Sequence, residues 1–189
     1  MIGLILSIVA CIAIILDLVD KITLLAIFIG IYELVYNYIN IKKEGLLICF
    51  GLIVLLIIGD IVSIGILKQK ELLFILGIIV ISDVFQELSG KYFGKNKIGW
   101  VSPNKTYEGY IGGYIGVIIL YFIKSYNFFD VNLIFILGVI GDLFFSFIKR
   151  KIGIKDYSGI LLSHGGMLDR TDSYFMAVLG YGLYKILNQ

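Results

Sequence analysis

The sequence contains few charged residues, few cysteines and almost no proline or histidine. Of its 189 residues, 16% are charged, one is proline and one is histidine, whereas 59% are hydrophobic and the mean hydropathy is +0.98. This composition excludes an ordinary soluble domain. The two cysteines, Cys11 and Cys49, lie far apart in separate apolar runs, without metal-binding spacing. We interpret them as small core residues.

The apolar residues form runs whose lengths approach the roughly 17–25 residues that a helix needs to cross a bilayer. No long alternating pattern indicates a β-barrel, so the sequence predicts an all-α, polytopic transmembrane helical bundle. The first run lacks a basic leader and a cleavage site, and we expect it to be retained as a span. We expect about seven spans, at residues 2–19, 22–40, 46–67, 72–90, 107–124, 128–148 and 173–187.

Two longer connections, residues 91–106 and 149–172, are polar, basic and contain glycine. If the spans alternate in direction, eleven Lys and Arg residues fall on the side of these connections and five fall on the other side. The positive-inside rule then places both connections in the cytoplasm. We therefore expect an integral protein of the cell membrane whose polar site faces the cytoplasm.

Ionisable residues are concentrated between Asp142 and Asp172. This stretch holds four aspartates, five of the sixteen Lys and Arg residues, and the only histidine, His164. On a helix, Asp142, Ser146 and Lys149 share one face, which runs from a carboxylate within a span to an amine at its end. Such a face is either a structural ion-pair network or a metal-binding carboxylate beside cations that bind phosphate.

The end of this stretch has a composition typical of a site for a hard cation. Asp169 and Asp172 are three residues apart, at the entrance to the last span, and they follow Gly165 and Gly166. Paired glycines let the backbone approach a ligand closely. Carboxylates without a second histidine or paired cysteines suit Mg²⁺ rather than zinc. His164 is either a structural hydrogen-bonding residue or a functional group.

Another polar group lies in the fourth predicted span. Asp83 and Glu87 are four residues apart, with Lys91 four residues further on. This group is either a second polar face of the site or a polar seam between helices. We expect Gly90 and Gly94 to break the helix at its cytoplasmic end.

The segment before the fifth predicted span contains Ser102, Lys105 and Thr106. Hydroxyls and a positive charge at a helix N-terminus form a natural anion site, although Ser102 or Thr106 would also serve as a simple N-cap. Small residues within the span predict close helix packing; they are Gly109, Gly112, Gly113 and Gly116.

An earlier acid, Glu33, lies within the second predicted span. A charged residue at the centre of a bilayer costs at least about 2.5–3.5 kcal/mol. Glu33 is therefore expected to be either a hydrogen-bonded packing residue or part of a polar cavity.

Together these segments resemble the signature of the phosphatidate cytidylyltransferases, also called CDP-diacylglycerol synthases. The late motifs are Ser146-Phe-Ile-Lys149-Arg150, then Lys155-Asp156, then His164-Gly-Gly-Met-Leu-Asp169-Arg170-Thr-Asp172. The earlier motifs are Asp83-Val-Phe-Gln86 and Ser102-Pro-Asn-Lys105-Thr106-Tyr-Glu108-Gly109. The resemblance covers roughly residues 75–180, and Glu33 is similar to a weaker early motif. We accordingly expect one integral-membrane domain over residues 1–189, with N-terminal spans in 1–70 and the catalytic portion in 71–189.

The chain departs from the family pattern in a few places. Leu162 and Ser163 stand where the family usually has Pro-Gly, so we expect this turn to differ. Phe145 replaces a glutamate that many members carry, and Tyr107 replaces a tryptophan. The charged positions of the motifs are intact.

The resemblance implies an enzyme, a nucleotidyltransferase that transfers the cytidylyl group of CTP to phosphatidic acid in phospholipid biosynthesis, giving CDP-diacylglycerol and pyrophosphate. It implies Asp142 and Asp169 as catalytic metal ligands, Asp83 and Asp172 as further metal residues, and Lys149 and Arg170 as catalytic cations. The implied substrate-binding residues are Ser102, Lys105, Thr106, Ser146, Arg150, Lys155, Asp156 and His164.

The implied cofactor is Mg²⁺, with a second monovalent or divalent cation as an option. The implied partners are CTP, phosphatidic acid and membrane lipid, with a homodimer also implied and no nucleic acid. Two alternatives stay open. One is the same CTP-dependent chemistry on another lipid phosphate, such as an isoprenoid ether lipid. The other is a non-catalytic membrane transporter or lipid-binding relative.

Overall fold

The computed structural model describes residues 19–40, 43–99, 101–124, 126–158 and 165–188. Within these ranges the chain forms six long helices and one two-stranded antiparallel sheet. The helices are α1 (Val19–Asn40), α2 (Lys43–Gly65), α3 (Gln69–Phe93), α4 (Tyr107–Lys124), α5 (Phe128–Ile152) and α6 (Leu168–Leu187), and the strands are β1 (Lys97–Ile98) and β2 (Ser102–Thr106). The prediction of an all-α fold is confirmed, apart from this small sheet.

The helices coincide with six of the seven apolar segments predicted from the sequence, and the first segment, 2–19, lies outside the described residues except for its last position. Among the residues that the structure describes, three helical segments are long and apolar enough to cross a membrane. They are Leu47–Gly65, Gln69–Phe93 and Phe128–Ile152, and Tyr107–Ile123 is a shorter apolar helix.

Large apolar side chains cover the outside of the bundle. Phe28, Leu47, Phe50, Ile111 and Phe122 are each more than 60% exposed. A water-soluble protein rarely exposes so much contiguous apolar surface. Lipid is the solvent that suits these faces, so the protein is an all-α membrane protein.

Helix α6 lies at the centre of the bundle, where it packs against α1, α2, α3 and α5. Its buried apolar residues include Tyr174, Phe175, Ala177, Val178 and Tyr181. Because four helices surround α6, they fix the position of its first two turns, which carry two of the predicted site aspartates.

Helix α3 ends later than the sequence predicted. It continues through Gly90 to Phe93, so the prediction that Gly90 breaks the helix is wrong. One glycine in a helix costs only about 1 kcal/mol, and here it leaves room for Thr106, whose hydroxyl oxygen would lie only 3.3 Å from a Cβ at Gly90. Gly94 ends the helix in an extended conformation.

Two other helices extend into the segment predicted as the second polar connection. Helix α5 continues to Ile152 and ends at Gly153, whose left-handed backbone (φ +78°) is typical of glycine at a helix C-terminus. Helix α6 begins at Leu168. Lys149, Arg150 and Asp169 therefore lie on helices and not in a loop, which holds their side chains in fixed directions.

The sheet between α3 and α4 was not predicted. Lys97 pairs with Thr106, and Ile98 pairs with Ser102 after a shift of register. Thr106 then starts α4, because its hydroxyl accepts a hydrogen bond from the N–H of Gly109 at 3.1 Å. The N-cap alternative is thus confirmed for Thr106.

The glycines of α4 let it pack closely against α3, as predicted. A Cβ at Gly113 would lie 2.5 Å from Cγ of Gln86 and 3.0 Å from the carbonyl oxygen of Ser82. A Cβ at Gly116 would lie 2.5 Å from Cγ of Phe85. Only hydrogen fits at these positions, so the two helices are in backbone contact.

We expect Gly113→Ala to destabilise the protein by about 1–3 kcal/mol, because the added methyl group forces α3 and α4 apart. Gly77→Ala in α3 is the matched control, since a Cβ there meets nothing within 4 Å. It should be neutral or stabilising by about 0.5–1 kcal/mol through helix propensity. Thermal unfolding in detergent measures both, and equal effects of the two substitutions would contradict the close packing.

Candidate active site

A polar cavity of about 630 Å³ lies where the ends of α3 and α5 meet the starts of α4 and α6. It brings together every predicted site residue that the structure describes. These residues are Asp83, Ser102, Lys105, Thr106, Asp142, Ser146, Lys149, Arg150, Lys155, Asp156, Asp169, Arg170 and Asp172. His164, Leu162 and Ser163 lie outside the described residues.

The face predicted on α5 is confirmed, because Asp142, Ser146 and Lys149 all line the cavity. The polar group on α3 lines it as well, with Asp83, Gln86, Glu87 and Lys91. That group is therefore a second polar face of the site rather than a seam between helices.

Asp142 is the carboxylate of the α5 face, and two side chains contact it. It is 8% exposed, and one of its oxygens, Oδ2, forms an ion pair with Lys105. The same oxygen accepts a hydrogen bond from the hydroxyl of Tyr110 at 2.8 Å. Burial in an apolar bundle requires such partners, because an unpaired carboxylate there is very costly.

Tyr110 was not predicted as a site residue. It lies four residues after Thr106 on α4, so the two share a helical face. That spacing is the signal by which Tyr110 could have been found. The Lys105 amine also lies 5.7 Å from the centroid of the Tyr110 ring. Tyr110 therefore contacts both members of the Lys105–Asp142 ion pair.

Asp169 has two sets of partners. Its Oδ1 atom accepts a hydrogen bond from the Lys149 amine at 2.7 Å. Its Oδ2 atom accepts the backbone N–H groups of Tyr157 at 2.8 Å and Gly166 at 2.9 Å. Asp169 thus binds a cation of α5 and also holds the backbone on both sides of residues 159–164.

The Tyr157 side chain anchors the segment after α5. It is 1% exposed, and its hydroxyl donates a hydrogen bond to the carbonyl oxygen of Phe145 at 3.3 Å. Burial, with the nearby charge of Asp169, raises the pKa of Tyr157 well above its ordinary value. Its phenol is therefore neutral and serves as a structural anchor.

Asp172, one turn further along α6, is 7% exposed and accepts the N–H of Ser173 at 2.7 Å. No salt bridge to Asp172 is formed within the described ranges. A buried carboxylate normally pairs with a cation. The burial of Asp172 without a paired cation is therefore the strongest indication that the cavity has a site for an added positive charge.

The described part of the chain contains no group of three carboxylate, histidine or cysteine side chains arranged to bind one metal ion. Instead, Lys105 and Lys149 neutralise Asp142 and Asp169, which is the ion-pair network that the sequence left open. The oxygen donors suit Mg²⁺ by their chemistry, and Asp172 is suited to an added cation. The metal role of Asp83, Asp142, Asp169 and Asp172 stays a prediction.

The charges that line the cavity balance. Six residues are basic and six are acidic. The basic residues are Lys91, Lys105, Lys149, Arg150, Lys155 and Arg170, and the acidic ones are Asp83, Glu87, Asp142, Asp156, Asp169 and Asp172. A divalent cation bound to the acids would leave an excess of positive charge, which suits a polyanionic ligand.

We expect Lys149→Met to destabilise the protein by about 3 kcal/mol, because it leaves Asp169 buried without its cation. The two side chains are only 11% and 7% exposed. Lys151→Met, on the same helix, is the matched control. Lys151 is exposed and contacts the ring of Phe147 at 5.9 Å, so its loss should cost less than about 1 kcal/mol. Thermal unfolding in detergent measures both. If the two variants were equally stable, the Lys149–Asp169 pair would have no role in holding the site.

The chain is similar to known proteins over most of its length. The chain matches the model of the Cytidylyltransferase family over residues 4–187. A phosphatidate cytidylyltransferase of Aquifex aeolicus is 38% identical over 157 residues, which are 77% of this chain and 59% of the relative. The protein of that name from Helicobacter pylori is 39% identical over 121 residues, 58% of this chain and 44% of the relative.

A phosphatidate cytidylyltransferase of Staphylococcus aureus is 42% identical over 118 residues, which are 54% of this chain and 43% of the relative. The chain thus spans about half the length of these curated relatives. The family model, in contrast, covers nearly all of the chain, including every element that lines the cavity. The chain therefore belongs to the cytidylyltransferase family.

Proposed function

We propose that the protein transfers the cytidylyl group of CTP to phosphatidic acid, giving CDP-diacylglycerol and pyrophosphate. The observation that carries the proposal is the cavity, in which six basic and six acidic residues meet at one end of apolar helices. One substrate has acyl chains and the other is a soluble polyanion, so they meet at the membrane surface. Membership of the cytidylyltransferase family supports the same reaction.

The chemistry needs positioning more than activation. The phosphate of phosphatidic acid is already an anionic nucleophile, so no Ser-His or Cys-His pair is required. Its oxygen forms a bond to the α-phosphorus of CTP, while the bond from that phosphorus to the β-phosphate oxygen breaks and pyrophosphate leaves. The protein must hold two polyanions together in line and neutralise the charge of the leaving group.

Different residues of the cavity hold the two substrates and neutralise the charge of the leaving group. Asp142 and Asp172, with Asp83 and Asp169, would hold Mg²⁺, which when bound supplies positive charge to the triphosphate. Arg150, Lys155 and Arg170 bind phosphate oxygens, together with Lys105 and Lys149, which contact carboxylates at the edge of the same cavity. The hydroxyls of Ser102 and Ser146 orient the substrates, and Thr106 contributes chiefly by starting α4.

The proposal includes a location. We propose about seven spans in the cell membrane, with the cavity open to the cytoplasm, where CTP is made available. The support is the excess of Lys and Arg on the side of the two polar connections, eleven against five. The homodimer and the second cation that the family resemblance implies stay predictions.

We expect purified protein with Mg²⁺, CTP and phosphatidic acid in mixed micelles to release pyrophosphate. Asp142→Asn and Asp169→Asn should each lower the rate by at least about 100-fold, because each removes a carboxylate that is proposed to hold Mg²⁺. Asp130→Asn is the matched control for Asp142→Asn, since it makes the same change in the first turn of α5, far from the cavity. It should keep the rate of the wild-type protein.

The same assay tests the alternatives. Chelation of divalent ions should abolish pyrophosphate release, and added Mg²⁺ should restore it. A preference for isoprenoid ether lipid phosphates over phosphatidic acid would change the substrate and keep the chemistry. Wild-type protein that is inert with every lipid phosphate and nucleoside triphosphate would contradict the proposal.

We expect Tyr110→Phe to lower kcat/KM by about tenfold, which corresponds to about 1.4 kcal/mol, the loss of one hydrogen bond to a charged group. Tyr114→Phe is the matched control, because Tyr114 lies one turn further along α4 and donates to Asn132 of α5 at 2.8 Å, outside the cavity. Initial rates of pyrophosphate release measure both variants. Equal rates for the two would rule out a role of Tyr110 in holding Asp142.

A further inference from the structure

Helix α6 begins without a capping side chain of its own. The residue at its N-cap, Met167, makes no side-chain hydrogen bond to the first turn. The first N–H groups of a helix have no acceptor within the helix, and they need one when they are buried. The first turn of α6 carries Asp169, and Asp172 lies one turn further along. Whatever supplies the missing acceptor therefore also sets the direction of these two carboxylates.

Glu33, in the middle of α1, supplies that acceptor. Its side chain is 0% exposed. One carboxylate oxygen, Oε1, accepts the N–H of Met167 at 2.8 Å, and the other, Oε2, accepts the N–H of Leu168 at 2.9 Å. Oε1 also accepts the hydroxyl of Ser158 at 2.7 Å. The cap of α6 thus comes from a residue 134 positions before Met167.

Glu33 and Asp169 hold the same two segments of backbone. Asp169 accepts N–H groups from Tyr157 and Gly166, and Glu33 accepts donors from the residues that follow each of them. The approach is close, because a Cβ at Gly166 would lie 2.7 Å from Oε2 of Glu33. Each of the two carboxylates therefore holds the chain on both sides of residues 159–164.

Glu33 does not line the cavity, so its contribution to chemistry is indirect. Its hydrogen bonds with Met167, Leu168 and Ser158 agree with the hydrogen-bonded packing residue that the sequence left open. A polar residue that served packing alone would not need to bind both Ser158, after α5, and the backbone at the start of α6. These contacts are with the two residues directly before Asp169, so Glu33 is placed to control the position of Asp169.

We infer that Glu33 is a positioning residue, which caps α6 from α1 and thereby directs Asp169 and Asp172 into the cavity. The role in catalysis rests on the proposed function, whereas the cap itself does not. Displacing a catalytic group by about 1 Å lowers a rate by about 100-fold. Loss of this cap should therefore act on the reaction far more than on the binding of CTP.

The test compares Glu33→Gln with the wild-type full chain in lipid nanodiscs. The glutamine side chain keeps the shape of glutamate, but its amide nitrogen donates, so at least one of the backbone N–H groups loses its acceptor. We expect kcat to fall by at least about tenfold, with KM for CTP changed by less than about threefold. The Mg²⁺ concentration for half-maximal rate should rise. Glu33→Asp, which keeps the charge, should recover part of both effects.

Thr23→Val is the matched control. Thr23 is also buried on α1 and also contacts α6, where its hydroxyl lies 3.1 Å from that of Tyr174, away from the cavity. A merely structural loss lowers the amount of folded protein and leaves the Mg²⁺ dependence unchanged. We therefore expect Thr23→Val to show the Mg²⁺ dependence and the kcat per folded molecule of the wild-type protein.

Hydrogen exchange followed by mass spectrometry gives a readout that does not depend on activity. At least one of the amides of Met167 and Leu168 should exchange at least about tenfold faster in Glu33→Gln than in the wild type, because it loses its acceptor. Thr23→Val should leave them unchanged. If Glu33→Gln fails to fold, Ser158→Ala removes one of the hydrogen bonds that Glu33 accepts and keeps its two backbone contacts, so it should produce smaller changes in the same direction.

The outcomes separate the inference from the proposed function. An active wild-type protein, with Glu33→Gln matching Thr23→Val in exchange and in Mg²⁺ dependence, would overturn the positioning role and leave the function intact. A wild-type protein inert with CTP and all lipid phosphates would overturn the function and the catalytic role of Glu33 together. Exchange at Met167 and Leu168 would then still decide whether Glu33 caps α6.

Discussion

Carboxylates buried at one end of an apolar bundle determine the arrangement of everything around them. Each would cost several kcal/mol if it were left unpaired, and three of them are met by donors from another part of the chain. Asp142 is met by Lys105 from the strand before α4, and Asp169 by Lys149 from α5. Glu33 is met by the backbone at the start of α6. These contacts hold elements that are distant in sequence around one cavity.

The balance of charge in the cavity has a consequence for the proposed reaction. Without substrate, six cations and six carboxylates neutralise one another, so the site is stable in a protein that is otherwise apolar. A polyanion alone would compete with the carboxylates for Lys105 and Lys149. A divalent cation would offset that competition, so binding of metal and nucleotide would be coupled.

The sequence predicted the helices because apolar runs of membrane length have few alternatives, and it predicted the site because the charged residues fall in family motifs. The small sheet was missed, since its pairing is set by contacts that bridge α3 and α4. Glu108 in the first turn of α4, for example, accepts backbone N–H groups of Lys95 and Asn96. Tyr110 was missed because its polar role appears only when the hydroxyl reaches Asp142 of another helix.

By itself, the sequence determined the class of fold, the chemistry of the donors and the identity of the residues that would meet in a site. These properties depend on composition, spacing and motif, which are local. Only the tertiary structure decided which carboxylate pairs with which amine, and that Glu33 supplies the cap of a helix more than 130 residues away. Such pairings depend on which helix ends meet in space, because a buried carboxylate without a partner is very costly.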